Sequence, residues 1–400
     1  MISFFWILSF RGDDEKRFWD DEKRFWDDEN TTQLSSQYIF MNSSCAFTKT
    51  NLMNFDRASM REYFQSLNEK PFRGDQLIQW LHQYGVTDFD AMTNFGQKLR
   101  TLLREQATFE IPTIIREQQS KDGTRKWLMQ LSDQLSIETV FIPELTRGTL
   151  CISSQVGCPL RCRFCTTGLQ GFKRNLTVAE IIGQVWRAVR TLSEEAGRHD
   201  HQVTNVVFMG MGEPLLNFDA VVKAIALLED DLAYGLSKYR VTLSTAGVVP
   251  AIERLAKVSD VSLAVSLHAP NNEIRDQIMP VNKQYSIEAL MDVCRCYFGK
   301  NSKRKVAFEY IMIDGLNDRV KHARELVKLL QGIPCKVNLI PFNDQRCDLQ
   351  PEPTFRASSL DTIRAFQKIL LAGGVRTIVR KTRGADIDAA CGQLKEVSGC

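Results

Sequence analysis

The chain has 400 residues, enough for one large barrel and a smaller second domain. Its 44% apolar and 25% charged residues are the profile of a soluble globular protein, and a net charge of only +3 confines any nucleic-acid surface to a local patch. Eleven cysteines at this length exclude a disulfide scaffold and point to a reducing compartment with metal or redox chemistry, while the apolar start Met1 to Phe10 is too short for a membrane span of about 20 residues and lacks the positive region of a signal peptide.

Residues 13–26 repeat one heptad twice, Asp13 to Trp19 and Asp20 to Trp26, too short an array for a solenoid. Residues 1–52 are expected to be a disordered extension or a misassigned start, with Met41 and Met53 as alternative starts. Residues 53–113 read as a small helical domain. Met60, Tyr63, Phe64 and Leu67 keep the i, i+3, i+4, i+7 spacing of one helix face, and Leu77, Ile78, Trp80, Leu81 and Tyr84 repeat it before Gly85, a C-terminal cap. Leu99, Leu102 and Leu103 carry a third helix. Seven basic residues (Arg57, Arg61, Lys70, Arg73, Lys98, Arg100, Arg104) stud this region as an RNA-facing patch or an ordinary solvated face.

Residues 114–147 read as a β-hairpin linker turning at Asp122-Gly123, its second strand including Ser136 to Ile142. From 148 to 384 apolar, β-branched strand candidates (149–154, 204–209, 240–245, 261–267, 305–313, 335–341, 375–380) alternate with six helical patterns. That alternation predicts an α/β fold: a partial (β/α)6 TIM-like barrel, with its chemistry at the carboxyl ends of the strands. Residues 385–400 form a C-terminal loop carrying Cys391.

The motifs fall at those strand ends. Cys158, Cys162 and Cys165 follow the first barrel strand in a C-x3-C-x2-C spacing with no fourth cysteine at a matching interval. Three thiolates can hold three irons of a [4Fe–4S] cluster and leave the fourth iron open for a ligand. A zinc site closed by a distant fourth ligand, or free thiols, is the alternative. The spacing, and Phe164 before the last cysteine, resemble the radical S-adenosylmethionine (SAM) superfamily, in which SAM occupies the open iron. Gly212-Glu213 ends the second strand, where glycine lets backbone approach a ligand and the carboxylate can pair with an ammonium group. Ser244, the run Ser266-Leu267-His268, and Asn343 end later strands, where they suit hydrogen bonds to a ribose or carboxylate, or else cap helices. Cys151 reads from its position as a core cysteine, and Cys391 as an incidental thiol.

With these residues in view the chain resembles the RlmN family of adenine-C2 methyltransferases, from about Asn54 to Leu394. The most specific matches are Lys70-Pro-Phe-Arg-Gly-Asp75, Val156 to Phe172, Val206 to Leu216, Val241 to Pro250, Ser266 to Arg275 and Val379 to Leu394. The resemblance implies one [4Fe–4S] cluster held by Cys158, Cys162 and Cys165, and two SAM per turnover, one bound through Gly212, Glu213, Ser244, Ser266, Leu267, His268 and Asn343. It implies that Cys391 is first methylated, that a 5′-deoxyadenosyl radical then activates this S-methylcysteine, and that the product adds to carbon 2 of an adenine in 23S rRNA or in a tRNA anticodon loop. Cys151 would release the RNA by forming a disulfide with Cys391, and Glu138 would be the proton acceptor. Lys173, Arg174, Arg380, Lys381 and Arg383 would meet RNA phosphates. An electron donor such as flavodoxin, a cytoplasmic location without membrane contact and a monomeric state complete the expectation. Three features depart from the family pattern: residues 1–50, the unfamiliar segment Asp344 to Ser358, and the stop at Cys400 where many members continue with a basic tail. A Cfr-type enzyme methylating carbon 8, and an RNA-binding protein with a structural or redox cluster, are the rival readings.

Overall fold

The computed structural model describes residues 49–196, 202–299, 304–343 and 355–396. The tandem heptad, Met41, Cys45, Cys347, Cys400 and residues 344–354 of the unfamiliar segment lie outside them.

Three helices open the described chain: α1 (Arg57–Ser66), α2 (Phe72–His82) and α3 (Gln97–Gln106). Each follows from its apolar period. Met60 and Phe64, then Leu77, Ile78 and Leu81, then Leu99 and Leu103 are buried, and the Asp56 side chain caps α1 by accepting from the Ser59 N–H at 2.9 Å. Gly85, in the left-handed region, lies three residues past α2. Packing of α2 on α1 needs Gly74, where a Cβ would stand 2.8 Å from the Arg61 nitrogen. Most of the basic residues of this region are engaged. Arg57 and Arg61 pair with Asp75, Arg104 with Asp90, and Arg73 donates to the Asn94 carbonyl. Lys70 and Lys98 are exposed.

A ten-stranded sheet follows: β1 (Thr113–Gln119), β2 (Arg125–Gln130), β3 (Ser136–Pro143), β4 (Gly148–Cys151), β5 (Asn205–Phe208), β6 (Val241–Thr245), β7 (Ser262–Ser266), β8 (Val306–Met312), β9 (Cys335–Pro341) and β10 (Thr377–Val379), paired in strictly sequential order. β1 to β4 run antiparallel, and β4 to β10 are parallel. Helices α4 (Val178–Ala196), α5 (Phe218–Glu229), α6 (Val249–Val258), α8 (Ile287–Cys296), α9 (Val320–Leu329) and α10 (Leu360–Ala372) alternate with the parallel strands, as the sequence predicts, and a seven-residue helix α7 (Asn272–Ile278) is added after β7. The sheet is therefore an open barrel of six strand–helix repeats plus a closing strand.

The hairpin expectation needs correcting. The Asp122–Gly123 turn joins β1 to β2, but Ser136–Pro143 is a third strand, reached through a turn in which Gln134 takes a left-handed conformation. The helical region docks on α4 and the end of α5: Trp186 donates to the Leu81 carbonyl at 2.9 Å, Arg57 pairs with Asp230 and Asp231, and buried His82 stacks on Tyr234 at 5.3 Å.

Candidate active site

The barrel holds an open cavity of about 990 Å³, solvent-filled mouth included, at the carboxyl ends of its strands. One wall is the cysteine loop. β4 ends at Cys151, and Ile152 to Gln155 carry the chain into the turn before Cys158. Gly157 must be glycine: its φ is +76° and a Cβ there would lie 1.9 Å from the Gly171 carbonyl, whose oxygen accepts the Cys158 N–H at 2.9 Å. The Cys165 N–H closes a turn on the Cys162 carbonyl at 3.1 Å, and Arg161 takes a left-handed conformation between Cys158 and Cys162. Under this loop Gln184 stitches α4 to the chain, accepting from Thr139 Oγ1 and the Ser153 N–H at 2.8 Å each and donating to the Ser153 carbonyl at 2.9 Å.

Cys158, Cys162 and Cys165 line the same cavity. Burial raises all three thiols, and their mutual repulsion adds to it. Such a set carries charge only with cations among its sulfurs. Among the described residues no three His, Cys, Asp or Glu side chains converge on one ion-sized point. A tetrahedral zinc asks for that convergence, whereas the thiolates of a [4Fe–4S] cluster each bond a different iron. The donor set fits the cluster.

Glu213 stands beside them, fully buried at the start of a short 3₁₀ turn. Its oxygens accept the N–H groups of Leu215 at 3.1 Å and Ala246 at 2.7 Å, and burial still pushes the carboxyl up to about 7. With Thr245 as a third donor, the carboxylate keeps one lone pair for a cation in the cavity. Gly210 and Gly212 line the cavity, and both also let the chain approach itself closely. A Cβ would meet the Ile152 carbonyl at 2.7 Å and the Gln155 side chain at 2.5 Å, respectively.

Ser244, Ser266 and His268 line the cavity with Glu213. His268 Nδ1 accepts the Ile311 N–H at 3.0 Å, its ring meets Phe164 edge-on at 4.6 Å, and burial lowers it to about 3, so the ring is neutral with its proton on Nε2. The Leu267 side chain belongs to the core, not the cavity lining. Asn343 is also outside the lining; its Nδ2 donates to the Cys391 carbonyl at 3.1 Å.

Next to this wall the lip carries Cys391, an exposed free thiol lining the cavity. Its loop is held to the cysteine wall by the Thr166 N–H donating to the Gly392 carbonyl at 2.8 Å and Thr167 Oγ1 to the Leu394 carbonyl at 2.6 Å. Cys151 is a buried free thiol that burial pushes up to about 12; neighbouring Cys391 raises it further and Arg380 lowers it. Glu138 is not in the lining: its Oε1 pairs with Lys126 Nζ at 2.9 Å and its Oε2 accepts the Lys395 N–H at 2.9 Å.

Sequence reasoning missed three residues. Glu309, buried on β8, faces the cavity with Oε2 free of hydrogen bonds and 3.6 Å from Arg380. Arg275, fully buried, donates to the carbonyls of Leu267, Ala246 and Ser266 and to Asn282 Oδ1, tying the ends of β6 and β7. Gln184 is the third. A charged or amide residue amid apolar neighbours is the signal each leaves. Most of the residues expected to meet phosphates also have acidic partners in the protein. Arg174 is sealed by Glu180 and Asp133, Lys173 pairs with Glu396 and Arg383 lies 3.7 Å from Asp122, while Lys381 is exposed without an ion pair among the described residues.

Comparison with known proteins agrees with this geometry. The family described as ribosomal RNA large subunit methyltransferase N-terminal domain matches residues 50–109, and the radical SAM superfamily matches residues 152–328. A dual-specificity RNA methyltransferase RlmN from Marinobacter nauticus is 54% identical over 350 residues, covering 87% of this chain and 93% of that protein. The crystal structure of a radical SAM methyltransferase from Sphaerobacter thermophilus is similar with a TM-score of 0.79 and 41% identity, over 86% of this chain and 99% of that one.

Proposed function

This chain belongs to the RlmN family of radical SAM RNA methyltransferases, and we propose that it methylates carbon 2 of an adenine in 23S rRNA and of an anticodon-loop adenine in tRNA. One observation carries the reading: the three cysteines, Glu213 and Cys391 line a single cavity.

We assign Cys158, Cys162 and Cys165 to the [4Fe–4S] cluster, and Glu213, Ser244, Ser266 and His268 to the SAM beside it; Gly212 and Leu267 act through backbone, and Asn343 through the Cys391 carbonyl it holds. Bound there, the two groups supply the one-electron chemistry that ordinary methyl displacement lacks at an electron-poor ring carbon. Cys391, exposed at the lip, takes the methyl group on its sulfur and presents it to the cavity. That carbon would bond to carbon 2 of the adenine after losing one hydrogen atom, the hydrogen and one further electron passing to the cluster and SAM and the carbon-2 proton to a base, which leaves the RNA tied to Cys391. Cys151, as its thiolate, then attacks the Cys391 sulfur; the carbon–sulfur bond breaks toward carbon, which takes up a proton, and a Cys151–Cys391 disulfide remains to be reduced. Glu138 lies outside the cavity lining, paired with Lys126 and bonded to the Lys395 N–H of the Cys391 loop, so its service as proton acceptor requires that loop to lift. The adenine enters unstacked, as bases do when chemistry is done on them.

In this reading residues 53–113 contact RNA with Lys70 and Lys98 outermost, 114–147 link, 148–384 form the barrel and 385–400 carry the methyl. An electron donor of the flavodoxin kind, a cytoplasmic setting and a monomer accord with it; among the described residues no helix is long and apolar enough to cross a membrane. The test is anaerobic. Reconstituted protein receives SAM, a reductant and unmodified rRNA or tRNA fragment, and the digested nucleosides go to mass spectrometry. The expected product is 2-methyladenosine from both RNAs; 8-methyladenosine moves the assignment to the Cfr type, and SAM left whole by a loaded cluster overturns it.

A further inference from the structure

The loop bearing Cys391 is gripped from behind by one buried ion pair. Lys126 on β2 is in register with Val140 and Glu138 on β3 with Leu128, so the two are diagonal neighbours on one face of the antiparallel ladder. Their side chains are 5% and 4% exposed and 2.9 Å apart. Each has a second bond, and both go to the same loop. Lys126 Nζ donates to the Asp388 carbonyl at 3.1 Å, and Glu138 Oε2 accepts the Lys395 N–H at 2.9 Å. Asp388 lies three residues before Cys391 and Lys395 four after it, so the pair holds both arms of the loop.

We propose that the Lys126–Glu138 pair is a clamp that sets the position of Cys391, with Lys126 as a positioning residue for the methyl-carrying thiol. Nearest Cys391 the other ties are neutral and single, Asn343 to the Cys391 carbonyl, Thr166 to the Gly392 carbonyl and Thr167 to the Leu394 carbonyl, while the charged ties of Asp386 and Glu396 lie farther out along the loop. A buried charge pair behaves differently, because removing one member leaves the other uncompensated. Removing Lys126 therefore takes away one arm's bond and strains the other's anchor, so both arms loosen. Its chemistry also couples two events. Glu138 holds Lys126 through one oxygen and the Lys395 N–H through the other, so lifting the loop uncovers the side of the carboxylate that Lys395 occupies.

The importance of the clamp rests on reading Cys391 as the methyl carrier, but its existence is tested without turnover. Amide hydrogen exchange is followed on full-length, cluster-loaded protein under anaerobic conditions. Lys126→Met is expected to speed exchange across 388–395 by about tenfold or more, the loss of a bond to a charged group, with β1, the helical region and the remaining barrel unchanged. Lys126→Arg, which keeps charge and donors, returns the loop toward the wild-type rate. Wild-type exchange in Lys126→Met overturns the proposal. So does acceleration spread evenly through β1, β2 and β3, which makes the pair part of the sheet's own stability. Should Lys126→Met fail to fold, Glu138→Gln keeps an acceptor for Lys395 while losing the charge; exchange should then rise mainly around 388, and an unchanged loop again overturns the clamp. With RNA present, Lys126→Met lowers kcat at constant KM; an effect on KM alone counts against a positioning role.

Discussion

Cys391 and Cys151 are chemically one side chain in opposite surroundings, the first exposed at the cavity lip, the second buried at the end of β4 where its thiol is pushed up to about 12. Each environment suits one task, accepting a methyl or waiting until needed. Cys151→Ala should therefore trap protein on RNA as a covalent adduct visible on a denaturing gel, and Cys391→Ala should give none. Loss of the cluster in both variants would remove these assignments. Because a thiol so far above neutrality attacks only as its rare thiolate, adduct release in the wild type should quicken with pH, by up to about tenfold per unit well below the thiol's value. A flat profile between pH 7 and 9 would point to another resolving group. Arg380, held above its ordinary value first by Cys391 and then by Glu309 and Cys151, is the cation placed to favour that thiolate. Glu213→Gln keeps the backbone bond from Leu215 or Ala246 but loses the charge, and should weaken SAM binding by roughly tenfold or more. Equilibrium binding at unchanged iron content measures it, and unaltered affinity would take Glu213 out of the SAM site.

Among elements, the joints are more sensitive than the spans. Arg275→Met strands the carbonyl ends of β6 and β7 and should cost on the order of 3 kcal/mol in urea unfolding. Arg275→Lys should recover little, since one ammonium cannot reach four acceptors laid out for a planar fork. Gly74→Ala should destabilise by about 1–3 kcal/mol by prying α2 from α1. The elements themselves were largely legible: α1 to α3 from a 3.6-residue apolar period, and the barrel from β-branched runs alternating with helical ones. Two were not. β2 and β3 read as one strand because the turn between them carries no glycine or proline, only Gln134 in a left-handed conformation. α7 is seven residues long and mostly polar, so no apolar period announces it. At the site, spacing exposed the three cysteines and Glu213 because their chemistry is local. It could not reveal Glu309 or Arg275, whose roles exist only through partners far away in sequence, or that Arg174 is consumed by Glu180 and Asp133.

At the scale of the whole molecule, the helical region and the barrel meet around His82, whose buried ring is lowered from 6.5 to about 3 by desolvation. The unfolded chain binds a proton on this residue below pH 6.5 and the folded one does not. The docking contribution is therefore complete above pH 6.5 and is lost progressively as pH falls toward 3. At pH 5.5 the loss is about 1.4 kcal/mol. Urea unfolding at pH 7.5 and 5.5 should show that difference shrink in His82→Asn, and an identical pH dependence in the two proteins would mean that the ring is protonated in place. A ten-stranded sheet that never closes on itself leaves its far ends to be bridged by other means. The loop after β10 does so, reaching back to the β1–β2 turn through Asp386 to Ser120 and Asp122 to Gly384, and to β2 and β3 through Asp388 and Lys395, contacts 257 to 266 positions apart along the chain. For an unfolded polymer, closing so long a loop costs on the order of 5 kcal/mol of chain entropy, against roughly 2 kcal/mol for the dozen residues left free once the barrel stands. Docking the strap that carries Cys391 after the barrel stands is therefore the less costly order, by about 3 kcal/mol of chain entropy.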